Sequence, residues 1–354
     1  MLAGGPGKLY VLQADKEAVL SGTQAAEPLV LHVNVGDCLM VNLTNETTTS
    51  PVSFHADMLA TDPSDSLGVE AGFNPAQVAL PGQSRSYTYF AHPEVGETVA
   101  LVRDWGNVLV NPGLGLYGAV IVGPPGATYT DPVTGADMSM KAGWRVDVHP
   151  PTGSSYRDFA LFIQDEDAVI GTHLMPYSEQ VEGVVGLNYR LEPLSNRLSR
   201  NGDTAKVFRS DIHGDPTTPL LEAFAGDPVR IHVLVPYSEQ AHVFTLEGHR
   251  WPQEPGLSQI LTPETTEVLK ISAVSTRPQE PAHTSSNLLS SVQVGALEAI
   301  TIVPLGGAGG PVALPGDYLY GDHREPYRDA GLWGLFRVYT SGATGINLLP
   351  LVGR

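Results

Sequence analysis

Gly316-Asp-Tyr-Leu-Tyr-Gly-Asp322-His323-Arg-Glu-Pro-Tyr327-Arg-Asp-Ala-Gly331-Leu332-Trp333-Gly-Leu-Phe-Arg-Val338 is the stretch whose reading decides the fold. Two short runs that alternate apolar and polar residues, Asp317–Tyr320 and Gly331–Val338, are bounded by a Pro315-Gly316 turn and a polar loop. That pattern reads as half-buried strands joined by tight turns. The same signals occur earlier in the same order. A first unit runs Val33-Asn-Val-Gly36-Asp37, a strand ending Asn42-Leu-Thr-Asn45, Ser53-Phe-His55, a Pro81-Gly82 turn, Tyr87-Thr-Tyr-Phe90 and Gly115-Leu-Tyr-Gly118-Ala-Val-Ile-Val122. A second runs Ala225-Gly226-Asp227-Pro228, Ala241-His242-Val-Phe, Pro315-Gly316, Asp317–Tyr320 and Gly331–Val338. A duplicated Greek-key sandwich accounts for both. Between them Gly123-Pro-Pro-Gly-Ala-Thr-Tyr-Thr-Asp-Pro-Val-Thr-Gly135 cannot be helical, because its prolines remove donors and restrict their neighbours. The expected domains are 1–150, with the connector from about 124, and 151–354.

Composition agrees with an all-β protein of two domains. The 354 residues are long for one sandwich and enough for two, and 38 Gly and 29 Pro with only 16% charged residues suit short strands punctuated by turns. The net charge of -18 repels phosphate backbones and anionic lipid heads, so nucleic acid is not an expected partner. Its plain meaning is solubility; the sharper one is attraction of divalent cations. Cys38 is the single cysteine, which excludes an intrachain disulfide and any two-cysteine metal site. In the alternating run Val35-Gly-Asp-Cys-Leu-Met-Val-Asn-Leu-Thr44 it is expected to be a small buried side chain. No apolar run approaches the length of a bilayer crossing, and Met1–Lys8 lacks the charged and apolar regions of an export signal. The chain therefore reads as soluble, without membrane insertion, and its strands begin almost at once, at Lys8-Leu-Tyr-Val-Leu, as though it were split from something longer.

Along its whole length the chain resembles the large bacterial multicopper oxidases, the group that includes the manganese-oxidising type. The residues that carry the resemblance are Ser53-Phe-His55-Ala-Asp57, Gly72-Phe-Asn-Pro75, Leu116-Tyr-Gly-Ala119, Asp131-Pro-Val-Thr-Gly135, Asn188-Tyr-Arg-Leu-Glu-Pro193, His213-Gly-Asp-Pro216, Gly226-Asp-Pro228, His242-Val-Phe-Thr-Leu-Glu-Gly-His249-Arg-Trp251 and Gly331-Leu-Trp-Gly334, in that order. The resemblance implies two cupredoxin-like Greek-key β-sandwich domains in tandem. It also implies copper, held in active members by a type 1 site of two imidazoles and one thiolate and by a trinuclear cluster of eight imidazoles.

Carried over residue by residue, the ligands are mostly missing. With Gly331-Leu332 on the family's Gly-Met/Leu, Gly321, Asp322 and His323 fall on His-Cys-His and Tyr327 on the later His. The first domain's closing motif puts Trp105-Gly106-Asn107 on His-Cys-His and Asn111 on the later His. His-x-His reads His55-Ala56-Asp57, and His-x-x-His-x-His reads His242-Val-Phe-Thr245-Leu-Glu247.

His55, His242, His249 and His323 remain as candidate metal ligands. They read either as interior or interface histidines inherited from the fold, or as a mononuclear site or a ligand shared with another chain. Asp57, Glu247, Asp322, Glu325 and Asp329 read as strand-end and loop acids or as donors for a harder cation. Asn188-Tyr-Arg190 reads as a structural corner.

The resemblance thus implies the copper-depleted part or subunit of a larger copper-dependent oxidase that oxidises a metal ion or phenol and reduces dioxygen. Its copper would lie on a partner chain or in further domains. The expected assembly is a homo- or hetero-oligomer, with a copper-bearing oxidase chain as partner, in an extracytoplasmic or cell-surface setting. The alternative is a non-catalytic binding or assembly module that uses exposed strand edges. No Gly-rich phosphate loop, His-Glu-x-x-His helix or Gly-x-Ser-x-Gly elbow is present.

Overall fold

A computed structural model describes residues 7–138, 142–165, 186–238, 240–253, 288–340 and 349. The first sandwich is built from β1 (Leu29–Asn34), β2 (Cys38–Thr44), β3 (His55–Ala56), β4 (Ser84–Phe90), β5 (Thr98–Arg103) and β6 (Tyr117–Gly123). One sheet has the order β1-β6-β5-β3 and the other pairs β2 with β4. Leu39, Phe54, Tyr87, Tyr89, Val102 and Val120 fill the space between them.

The second sandwich uses β7 (Thr128–Thr130), β8 (Arg145–His149), β9 (Tyr156–Gln164), β10 (Gly186–Leu187), β11 (Leu221–Phe224), β12 (Val229–Tyr237), β13 (His242–Leu246), β14 (Trp251–Pro252), β15 (Leu288–Leu289), β16 (Ser291–Val294), β17 (Ala299–Ile302), β18 (Gly316–Asp322) and β19 (Trp333–Tyr339). Its sheets run β17-β12-β9-β8-β7 and β11-β19-β18-β13-β16, with β14 and β15 as a separate pair. Phe159, Leu161, Leu221, Ile231, Phe244 and Phe336 lie between them. The duplication read from the sequence is visible in the pairing: the strand just before each Gly-Asp turn, at Gly36-Asp37 and Gly226-Asp227, lies parallel to its unit's last strand, β1 on β6 and β11 on β19.

The two units share a third core. Val30, Val99, Leu101, Tyr117 and Ile121 of the first pack on Ala160, Phe162 and Leu234 of the second. This is why neither Tyr117–Gly123 nor Tyr156–Gln164 has a solvent-facing side: every residue of β6 and β9 is buried. Polar groups on the seam are paired. Tyr117 Oη donates to Gln164 Oε1 at 2.8 Å, and Gln164 Nε2 donates to the Gly113 carbonyl at 2.6 Å. The Asn188–Arg190 corner does what its sequence suggested. Asn188, with positive φ, accepts from Phe162 N at 2.8 Å and donates to Ala160 O at 3.1 Å, extending the ladder of β9, while Tyr189 Oη ties back to Gly115 O at 2.6 Å. Arg190 pairs with Glu27, and Glu192 with the buried Arg197.

The expectation for Cys38 is corrected. Leu39, Val41 and Leu43 pack toward the core, so the alternation of β2 sends Cys38 and Met40 outward, and the thiol is exposed. A thiol reagent added to the native protein should therefore modify one cysteine per chain without denaturant; a requirement for unfolding would contradict this register.

Buried charge fastens β8 to β9. Arg157, fully buried, makes a two-pronged contact with Asp147, Nε to Oδ1 at 2.7 Å and Nη2 to Oδ2 at 2.9 Å. Removing Asp147 leaves the buried Arg157 charge with only Asp227, 3.8 Å away, and the Glu222 carbonyl. Asp147→Ala should cost about 3–5 kcal/mol in chemical denaturation, well above the loss from replacing both residues with apolar ones of similar volume.

Candidate functional site

The second sandwich gathers three of the positions that the resemblance set on type 1 copper ligands. His242 opens β13, Asp322 closes β18, and the pairing of these strands brings them together. Tyr327 follows on the helix Glu325–Ala330, which ends at Gly331 with φ 118°. His242 Nδ1 lies 2.6 Å from Asp322 Oδ2, and its ring meets the Tyr327 ring edge-on at 4.8 Å. All three side chains are buried. Asp322 is held from its other oxygen by Val243 N at 3.2 Å and Arg324 N at 2.9 Å.

The hydrogen bonds fix the charge of this histidine in the metal-free chain. Nδ1 must donate, since the Asp322 carboxylate only accepts. On the far side Nε2 lies 3.1 Å from Ser238 Oγ, whose own proton goes to Gln240 O and which also accepts from Gln240 N. That hydroxyl has a lone pair left for Nε2, so Nε2 donates too and the ring is an imidazolium. Burial alone pushes its pKa down, but Asp165 and then Asp322 outweigh that and hold it at about 9. Asp165 comes from beyond the end of β9 with Oδ1 3.6 Å from Nε2, too far for a hydrogen bond. Burial raises the Asp165 pKa, yet His242, Ser238 and Tyr327 together bring it below the ordinary carboxylate range.

The corresponding corner of the first sandwich is closed by backbone. A Cβ built on Gly106 would stand 2.6 Å from the Pro51 carbonyl group and the Val52 Cα. No side chain fits there, least of all a cysteine's, without moving the main chain. Asp104 organises the loop by accepting from Ser53 N at 2.7 Å, Asn107 N at 2.9 Å and Asn111 Nδ2 at 2.8 Å; burial raises its pKa, an effect these donors partly offset. Asn111 also accepts from Lys8 Nζ.

The remaining candidates are dispersed. His55 Nδ1 lies 2.6 Å from Leu67 O and Nε2 2.9 Å from Asp57, which also takes the Arg103 guanidinium at 2.7 Å. His249 is buried with both nitrogens used: Gly309 N donates to Nε2 at 3.0 Å, so the remaining proton sits on Nδ1 and goes to Glu247 O at 3.0 Å. Burial lowers its pKa. Thr245 Oγ1 donates to Gly321 O at 3.3 Å, and Glu247 and His323 are exposed. Among the described residues no three His, Cys, Asp or Glu side chains form a group that could hold a metal ion. A cavity of about 260 Å³ elsewhere, bordered by Tyr10, Val19, Pro28, Met138 and Trp144, touches none of the four histidines. Asp165 and Ser238 carry no strong sequence signal of their own; the local hint is an acid two residues after the apolar run Phe159–Ile163.

No family model matches this chain, and no curated protein matches it. Solved structures do. A laccase from Botrytis aclada has 15% identity and a TM-score of 0.52 over 92% of this chain and 50% of its own; the multicopper oxidase mgLAC has 16% and 0.51 over 90% and 78%. A copper nitrite reductase from Nitrosomonas europaea has 15% and 0.51 over 93% and 87%. The chain shares their cupredoxin-like fold. At these identities the likeness is one of fold: two cupredoxin-like sandwiches in tandem. No helix among the described residues is long and apolar enough to cross a membrane.

The charge of His242 gives a pH prediction for the chelator-treated chain. Its folded pKa of about 9 lies above the unfolded value of about 6.5. The stabilisation is therefore complete below about pH 6.5 and lost as pH rises through about 9, amounting to something on the order of 3 kcal/mol. Denaturation midpoints should fall across that window, and Asp322→Asn should flatten the fall; a midpoint unchanged from pH 6 to 10 would contradict the imidazolium.

Proposed function

We propose that this chain is a copper-free, two-sandwich part or subunit of a copper-dependent oxidase assembly, serving as scaffold and interface while copper sits elsewhere. The observation that carries this reading is the Asp322–His242 contact. At the positions aligned with a type 1 thiolate and imidazole, a carboxylate and a protonated ring hold one another. A type 1 centre needs a thiolate and two neutral imidazoles. The second sandwich offers Asp322, an imidazolium and Tyr327, and the first offers Gly106 against backbone. The residues present do not fit that ion, and no electron-transfer step is derived through it. The scaffold role is supported by the polar and apolar seam, which binds two sandwiches into one unit through β6 and β9.

A second reading, a binding or assembly module independent of any oxidase, draws on Trp105, Val108 and Leu109, which stand exposed on the loop after β5.

Copper(II) added to the purified chain should give no intense blue thiolate-to-copper absorbance, and the same chain mixed with a copper-bearing oxidase chain should elute with it on size exclusion. Blue absorbance from this chain alone would overturn the copper-free reading. Elution as a separate species would favour the independent module.

A further inference from the structure

The far side of His242 holds an unexplained set of polar groups. By distance and angle neither carboxylate oxygen of Asp165 nor the hydroxyl of Tyr327 has a hydrogen-bond partner, although Asp165 faces His242, Ser238 and Tyr327 closely enough for all three to act on its charge. Asp165 is only 1% exposed at its side chain and Tyr327 is fully buried. Leaving a buried carboxylate unbonded is expensive, and such a group calls for a missing water or ion.

The spacing discriminates between them. His242 Nε2 is 3.6 Å from Asp165 Oδ1 and 3.1 Å from Ser238 Oγ. Two ligand atoms about 2.1 Å from a shared ion stand about 3.4 Å apart at a tetrahedral angle and about 3.0 Å apart at a right angle. The outer nitrogen, Nδ1, is anchored to the Asp322 carboxylate at 2.6 Å, the partner that orients metal-bound histidines and fixes their tautomer. Charge is conserved: a cation that takes the place of the Nε2 proton keeps a positive charge between the two buried carboxylates.

We infer that His242 Nε2, Asp165, Tyr327 Oη and Ser238 Oγ form a binding site for one divalent cation of the zinc or manganese class, with Asp322 as the positioning residue behind the ring. One imidazole among oxygen donors suits these borderline and hard ions, and it lacks the thiolate that a blue copper requires. The site lies on the opposite edge of the ring from the one facing Asp322. In the metal-free chain a proton occupies Nε2, and the cation displaces it. The inference does not depend on the chain's place in an oxidase.

The test is zinc chloride, and separately manganese chloride, titrated into the full chain after EDTA treatment, with bound metal counted by mass spectrometry and folding followed by thermal melting. One ion per chain and a raised melting temperature are expected. Asp165→Asn and the near-isosteric Tyr327→Phe should each weaken binding at least tenfold, while exposed His323→Ala leaves it unchanged. Absence of saturable binding, or binding unaffected by both Tyr327→Phe and Asp165→Asn, would overturn the site and leave the gap to a buried water. Blue absorbance with copper would instead strike the copper-free reading.

Discussion

Everything in this molecule is arranged around strands that have no solvent-facing side. β6 and β9 are covered on both sides, by their own sandwich cores and by the core between the sandwiches, so neither can slide or peel without exposing apolar surface on two fronts. Burial at about 25 cal/mol per Å² of apolar surface makes that a large cooperative term. The polar groups that must accompany such strands are consequently few and fully engaged: Gln164 bridges Tyr117 and Gly113, Asn188 supplies the ladder of β9, and Arg157 is satisfied by Asp147 and the Glu222 carbonyl.

The corner around His242 hangs from that frame. β9 delivers Asp165 at its end, β12 delivers Ser238 just beyond its last residue, and β13 and β18 bring His242 and Asp322 into contact. A rigid support of this kind lets a charged ring sit between two carboxylates in an interior where an isolated charge would be prohibitive. The same reasoning explains His249. Its neutral tautomer bonds to Gly309 N and Glu247 O and packs against the rings of Tyr318 and Phe336, so it joins a turn to a strand.

Much of this was legible in the sequence because it is local. Alternation and turn residues placed the strands, and the repeated order of signals gave two sandwiches; the strand pairing then puts His242 and Asp322, read from separate motifs, at one corner with Tyr327. What was not legible depends on distance or phase. Asp165 reaches His242 from 77 positions away in the chain through a parallel strand pair, and nothing local announces it. Cys38 depends on phase: the residue type favours the interior, but alternation with Leu39, Val41 and Leu43 turns it outward. Arg190 pairs with Glu27 from across the fold, while the neighbouring Glu192 pairs with the buried Arg197.

Gly106 makes the two corners respond differently to substitution. At the His242 corner the space is filled by side chains, so a change of residue there is a change of side-chain packing. At Gly106 the backbone of Pro51 and Val52 occupies the volume that a side chain would need. A larger residue there must displace main chain, so the first corner can vary only if the whole loop is rebuilt around it.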